Sequence, residues 1–257
     1  VIPVRGVISG EGPNGGLTRY VLSALERAKR DAHVKVVLLE IDSPGGGVTD
    51  SDRIHHALGQ LKASGKKVYA LFGNLCASGG YYIAAGADKI WSRPTSITGS
   101  IGVIVPSYSA QELFEKLGIV DQSISSGANK QILSATKSMT PEQTKLMQGL
   151  VDEMHGRFVS LVAQGRGLAE SDVKLIADGR LLTAEQALEA KLVDVVGYKD
   201  DLIKEIRESV QEELMIVRYQ APQTFLELLM GNHFDSFLDR VFGRVTFGRS
   251  MPTYVYP

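Results

Sequence analysis

The stretch Val34-Lys35-Val36-Val37-Leu38-Leu39-Glu40-Ile41, followed at once by Asp42-Ser43-Pro44-Gly45-Gly46-Gly47, decides the fold. Its first part is a nearly continuous apolar run of β-branched and aliphatic residues. Such a run fits a strand buried on both faces of a parallel sheet. Pro and three glycines stop it, and Ile54, Leu58 and Leu61 follow at helical spacing. Upstream, residues 1–9 read as another apolar strand, and Leu17, Tyr20, Val21, Leu25 and Ala28 as a helix. Downstream, Gly65 closes the second helix. Strands are then expected at 67–72, at 89–92, near 101–105 and at 118–123. A helix starting at Ser78 and one at 110–117 are interleaved with them. Strands alternating with helices predict an α/β fold with right-handed crossovers.

From Thr140 the character changes. Thr140-Pro141-Glu142-Gln143 has a capping residue, a proline at the first helical position and an acid in the first turn. A long amphipathic helix is expected from there to about residue 164. Shorter helices follow at 170–176, 184–190 and 200–212, with small strands at 193–196 and 215–219. Residues 223–241 carry an apolar stripe (Phe225, Leu228, Leu229, Phe237, Leu238, Val241), and the tail 246–257 lacks a helical pattern. The chain thus divides into an α/β core at 1–139, a helical and small-strand continuation of the same domain at 140–212, and a C-terminal extension and tail at 213–257.

The 257 residues are 44% hydrophobic, enough for one large core. With 28 basic and 29 acidic residues the formal net charge is −1, so no strong field draws nucleic acid or an anionic membrane. One cysteine, Cys76, precludes an intramolecular disulfide and argues against a thiolate metal site. No metal or other cofactor is expected. No run of 18 apolar residues is present to span a bilayer, and no basic-then-apolar signal segment opens the chain. It begins Val1-Ile2-Pro3-Val4, without Met. It reads as part of a longer protein whose targeting or anchoring segment precedes it.

Two further segments carry chemistry. Asn74-Leu75-Cys76-Ala77-Ser78-Gly79-Gly80-Tyr81-Tyr82 puts a serine at a strand-to-helix turn. The turn exposes its hydroxyl, the N–H groups there favour a developing negative oxygen, and the glycines admit a substrate backbone. Alone, this segment reads better as a tight turn with a capping serine. The glycine loop at 45–47 adds free N–H groups at the carboxyl edge of the sheet, where ligands bind. It lacks the spacing of a phosphate or dinucleotide loop. The second segment, Ser125-Ser126-Gly127-Ala128-Asn129-Lys130, isolates a lysine in small, uncharged surroundings. A lysine serves as a base only when burial without an acidic partner makes it neutral. Residues 123–133 contain no Asp or Glu, which allows this. A solvated surface lysine is the bland alternative. A histidine base would need His55 or His56 to reach Ser78. Between the two segments, Arg93-Pro94-Thr95-Ser96-Ile97-Thr98-Gly99-Ser100-Ile101-Gly102 offers hydroxyls, of which Ser100 can orient a lysine amine.

The ordered set Asp-Ser-Pro-Gly-Gly-Gly, Ala-Ser-Gly-Gly-Tyr-Tyr, Thr-Gly-Ser-Ile-Gly-Val and Ser-Gly-Ala-x-Lys resembles the signal peptide peptidase A family. The resemblance runs from Val1 to about Tyr198 and includes Ala177-Asp178-Gly179-Arg180. It implies a Clp-protease/crotonase-like fold of repeated ββα units with a parallel-rich sheet, plus a helical C-terminal extension. It implies a serine peptidase with Ser78 as nucleophile, Lys130 as general base, Ser100 orienting the lysine, and the N–H groups of Gly45 and Gly79 as oxyanion hole. It further implies a homo-oligomeric ring held by an N-terminal anchor in the bacterial cell membrane, with the catalytic part outside the cytoplasm. The implied substrates are apolar signal peptides left in that membrane after preprotein processing.

Two other classes compete. A crotonase-type acyl-CoA enzyme uses a similar sheet and oxyanion loop but needs acidic catalytic residues, which the loops around Ser78 and Lys130 lack. A catalytically inactive assembly module is the other. The tail Arg249-Ser250-Met251-Pro252-Thr253-Tyr254-Val255-Tyr256-Pro257 reads either as a packed or unstructured terminus or as a segment that docks in a peptide groove by strand addition.

Overall fold

The computed structural model describes residues 1–12, 15–210, 214–219 and 253–255. The chain order begins with β1 (Ile2–Arg5), α1 (Gly16–Arg30), β2 (Val36–Ser43), β3 (Gly45–Gly47), α2 (Val48–Ala63) and β4 (Lys67–Ala77). Then come α3 (Gly79–Ala84), β5 (Lys89–Ser92), β6 (Ile97–Gly99), α4 (Gln111–Lys116) and α5 (Pro141–Arg166). The remainder is α6 (Glu170–Lys174), β7 (Leu181–Thr183), α7 (Ala184–Glu189), β8 (Val195–Val196), α8 (Lys199–Val210) and β9 (Thr253–Val255).

Seven strands form one sheet, with β1-β2-β4-β5-β8 all parallel. The far half of β4 leaves β5 and pairs with β6, which turns antiparallel to β7. β3 pairs antiparallel with β9, Gly46 opposite Tyr254. The α/β class with a parallel-rich sheet is therefore as the sequence predicts.

The alternation along β2 explains its apolar run. Val37, Leu39 and Ile41 enter the main core with Val68, Ala70, Phe72, Tyr81, Tyr82 and Phe158. Leu38 faces the other side with Tyr69, Leu71, Trp91, Leu202 and Ile206. Both faces of the sheet are covered, and neither parity of the strand can be polar without a partner. Glu40, on the second face, is paired with Lys199 and Arg218.

The expected elements differ from the observed ones where the chain leaves this core. No strand forms at 101–105. The strand falls earlier, at β6, because Gly99 and Ser100 turn with φ of 85° and 50°. No strand forms at 118–123 either. Gly118 has φ 69°, Asp121 accepts the Ser123 N–H, and the segment is largely exposed, with no sheet edge to join. Residues 214–219 run without a strand, although Tyr219 N–H donates to Val1 O at 2.9 Å. The stripe expected at 223–241 lies outside the described residues. β3 and β7 were not expected.

Residues 104–150 leave the body as an arm. Its α4 buries no residue, and Tyr108, Leu117, Val120, Ile124, Leu146 and Leu150 are exposed. The helix α5 starts with the full capping box of Thr140 and Gln143. Only Phe158, Val159, Val162 and Ala163, near its far end, are buried. There Phe158 packs on Tyr82 with ring centroids 4.9 Å apart.

Close helix packing leaves a test. A Cβ on Gly165 of α5 would lie 2.2 Å from Ala85 O, whereas one on Gly156 would meet nothing within 4 Å. Gly165→Ala is expected to destabilise by about 1–3 kcal/mol through overpacking. Gly156→Ala is expected to stabilise by about 0.5–1 kcal/mol through helix propensity. Thermal denaturation of both variants checks this; equal shifts would contradict the packing.

Candidate active site

β4 delivers Ser78. The strand ends at Ala77, and Ser78 turns the chain into α3 with φ 53° and ψ −119°. A non-glycine residue at positive φ is strained by about 1–3 kcal/mol and persists only where its surroundings impose it. Among the described residues, three non-glycine positions have positive φ: Ser78, Ser100 and Lys191. Two of the three are candidate site residues. Ser78 N–H donates to Gly99 O and Tyr82 N–H donates to Ser78 O, each at 2.9 Å. The Gly99 bond ties the Ser78 turn to the residue before Ser100, whose own N–H donates to Arg180 O at 2.7 Å. Both serines are buried.

The glycine loop lies against this turn. A Cβ on Gly79 would sit 3.3 Å from Gly45 Cα and 3.2 Å from Gly46 N. Gly45 has φ 106°, and its N–H donates to Ser43 Oγ at 3.1 Å. Ser43 Oγ in turn donates to Gly6 O at 2.6 Å. Ile8 N–H donates to Gly45 O and Gly47 N–H to Ile8 O, both at 2.8 Å. Adjacent peptides of a strand face opposite ways, so the N–H and C=O of Gly46 point away from Ile8, toward β9. A Cβ on Gly46 would stand 2.0 Å from Ile8 O, which only glycine avoids.

Lys130 stands apart. It is exposed, on a turn where its backbone N–H donates to Gly127 O at 3.1 Å. Gln143 Nε2 at the start of α5 donates to Ala128 O at 2.8 Å and so fixes this loop to the arm. Among the described residues the Lys130 amine has no hydrogen bond or ion pair. The structure thus brings Ser78, Gly79, Gly45 and the Gly99–Ser100 turn together, and leaves Lys130 outside the body of the single chain.

The other candidates lie elsewhere. His55 sits edge-on to the Tyr82 ring at 5.7 Å, and burial lowers its pKa despite the nearby Asp52. His56 is exposed and bonds Gln60. Cys76 is buried, and that burial pushes its thiol well above the ordinary range, leaving a poor nucleophile. Among the described residues no group of three His, Cys, Asp or Glu could hold a metal ion.

Residues 60–213 match the family described as Peptidase family S49. The chain belongs to that family. A protein of Enterococcus faecium, provisionally named signal peptide peptidase SppA, is 37% identical over 90% of this chain and 70% of its own. A Synechocystis protein provisionally named a protease is 44% identical over 78% of this chain and 70% of its own. Among solved structures, a point mutant of ClpP1 from Listeria monocytogenes matches with a TM-score of 0.52 at 19% identity. That match covers 78% of this chain and 93% of the other, and it shows the Clp-protease fold. The protein is therefore a peptidase.

This S49 peptidase also carries a polar network that sequence reading missed. Tyr82, one turn beyond Ser78, donates its hydroxyl to Asp52 Oδ1 at 2.6 Å. Arg157 of α5 donates to the same oxygen from Nη2 at 2.7 Å and Nε at 3.1 Å. Helices α2, α3 and α5 are thereby joined at one carboxylate. The three residues are far apart in sequence, and no local spacing announces them.

Burial pushes the Asp52 carboxyl up. Hydrogen bonds from Tyr82 and Arg157 outweigh it, so the net pKa is lowered. A carboxylate with a lowered folded pKa stabilises the fold above its unfolded value, near 3.9, and loses that contribution as pH falls through the folded value. Asp52 is about one third exposed, and solvent screening limits the term to roughly 1 kcal/mol. Asp52→Asn is expected to lower Tm at pH 7 and to flatten the decline of stability below about pH 4. Identical acid limbs in variant and wild type, followed by thermal melts, would contradict this.

Proposed function

We propose that this S49 peptidase is a serine endopeptidase with Ser78 as nucleophile and Lys130 as general base. The observation that carries the reading is the strained backbone of Ser78, held beside a glycine loop and tied through Gly99 to Ser100. In the proposed reaction Ser78 Oγ attacks the peptide carbonyl carbon while its proton passes to the neutral Lys130 amine. The carbonyl oxygen takes the negative charge between the N–H groups of Gly79 and Gly45. The Gly45 N–H would exchange its bond to Ser43 Oγ for this one. Lysine then returns the proton to the leaving nitrogen, the C–N bond breaks, and an acyl ester remains on Ser78. Water, deprotonated by the same lysine, hydrolyses the ester.

A neutral lysine needs burial, and the single chain does not supply it to Lys130. The arm that carries it exposes Tyr108, Leu117, Val120 and Ile124. A second copy packed on that arm would cover these side chains and bring the amine to a cleft. This supports a homo-oligomer, for which a ring is the expected closed form. Ser100 would then accept or donate at the amine and fix its direction.

The edge of β3 presents the Gly46 peptide, and its antiparallel pairing with β9 supports recognition of an extended substrate by strand addition. Under this reading the chain's own tail is one occupant. The small side chains of the site and the name of the Enterococcus relative support apolar peptides as substrates, specifically signal peptides left in a membrane after processing. Among the described residues no helix is long and apolar enough to cross a membrane. Attachment at the outer side of the cell membrane belongs to this proposal through a segment preceding residue 1.

Ser78→Ala and Lys130→Ala are each expected to abolish hydrolysis of an apolar fluorogenic peptide. Full activity in either would overturn the dyad. Dissociating the two inactive variants and reassembling them together tests where the lysine acts. Recovery of activity is expected, because a mixed pair restores an intact serine and an intact lysine to one site. A mixture as inactive as its parts would overturn delivery of Lys130 by a second copy.

A further inference from the structure

Ser51 lies in the first turn of α2, four residues after the glycine loop ends, and is fully buried. Its Oγ is shut off from solvent and has no hydrogen-bond partner among the described residues. Buried hydroxyls nearly always find a partner, and a helical serine can usually bond the carbonyl one turn back. This one does neither. It is directed at the junction of the two glycine segments. A Cβ on Gly79 would stand 2.4 Å from Ser51 Oγ, beside Gly46 N at 3.2 Å and Gly45 Cα at 3.3 Å. The hydroxyl therefore occupies the space that any side chain at position 79 would need. An unused donor thus packs against the backbone of Gly79, whose N–H is proposed to hold the oxyanion.

We propose that Ser51 is a further donor of this site, one that hydrogen-bonds the acyl oxygen as the carbonyl carbon becomes tetrahedral. The inference rests on the reading of Ser78 as nucleophile and extends it. Ser51 keeps its proton throughout; it supplies a hydrogen bond, and the charge it stabilises returns to the carbonyl when the C–N bond breaks. A donor already fixed and shielded from water needs no reorganisation when charge develops. That accounts for a hydroxyl left unsatisfied in the resting chain. It also accounts for its position against Gly79 rather than toward its own helix.

The test separates this role from packing. In the full chain, Ser51→Ala is expected to lower kcat on an apolar peptide by on the order of 10- to 100-fold, with little change in KM. The affinity for a peptide aldehyde, whose hemiacetal oxygen occupies the same place, is expected to fall by a similar factor. Tm should stay level or rise, because an unsatisfied buried hydroxyl has been removed. Ser51→Cys replaces the hydroxyl with a slightly larger, weak donor and should behave like Ser51→Ala; it carries the test if the alanine variant does not fold. Wild-type kcat and aldehyde affinity in these variants, beside an inactive Ser78→Ala, would overturn this proposal alone. Full activity in Ser78→Ala would overturn the underlying reading and this proposal with it.

Discussion

Ser78 holds φ at 53° and ψ at −119°, a backbone state that side chains ordinarily avoid. Much of the surrounding structure serves to impose it. β4 reaches Ala77 locked between β2 on one side and β6 on the other. Gly99 O takes the Ser78 N–H, so the turn cannot relax without disturbing β6. On the far side α3 is pinned by Tyr81, whose hydroxyl reaches Leu192 O at 2.8 Å, and by Tyr82 through Asp52. A strain of about 1–3 kcal/mol is sustained because several independent bonds would have to break to release it.

Glycine makes the second half of the site possible. Gly79 and Gly80 let α3 approach β3 and the end of β2 more closely than any side chain allows: a Cβ on Gly80 would already stand 3.1 Å from Ser43 O. The loop at Gly45–Gly47 is held from behind by Ile8, which leaves the Gly46 peptide for a partner strand. A rigid body thus presents the serine and the glycine edge. The lysine sits on an arm that buries little and is anchored at the far end of α5 by Phe158 and Arg157. The division is physical: the strained serine and its glycine edge lie inside one chain, and Lys130, the proposed base, lies on the exposed arm.

Much of this was legible in the residues. The two-sided burial of 34–41 announced a covered parallel sheet, and Thr140 to Gln143 announced the start of α5. The motif order around Gly45, Ser78, Gly99 and Lys130 fits the S49 membership shown by the match over residues 60–213 and by a relative that aligns with 90% of the chain. What stayed hidden depends on distance in space. The β6 to β7 pairing needs the turn at Gly99 and Ser100. The Asp52 carboxylate finds Tyr82 and Arg157 only after three helices meet. The exposure of Lys130 is invisible in its neutral local sequence, because a stretch without acids reads the same whether it packs inside one chain or against another. Strands foreseen at 101–105 and 118–123 failed because apolar, β-branched runs form strands only beside a free edge.

The most direct test of the central claim is to treat the assembled protein with a fluorophosphonate and map the modified residue by peptide mass, with its rate of modification. The account predicts a single adduct on Ser78, formed rapidly in the wild type and far more slowly in Lys130→Ala. An adduct on another residue, or equal rates with and without Lys130, would contradict it.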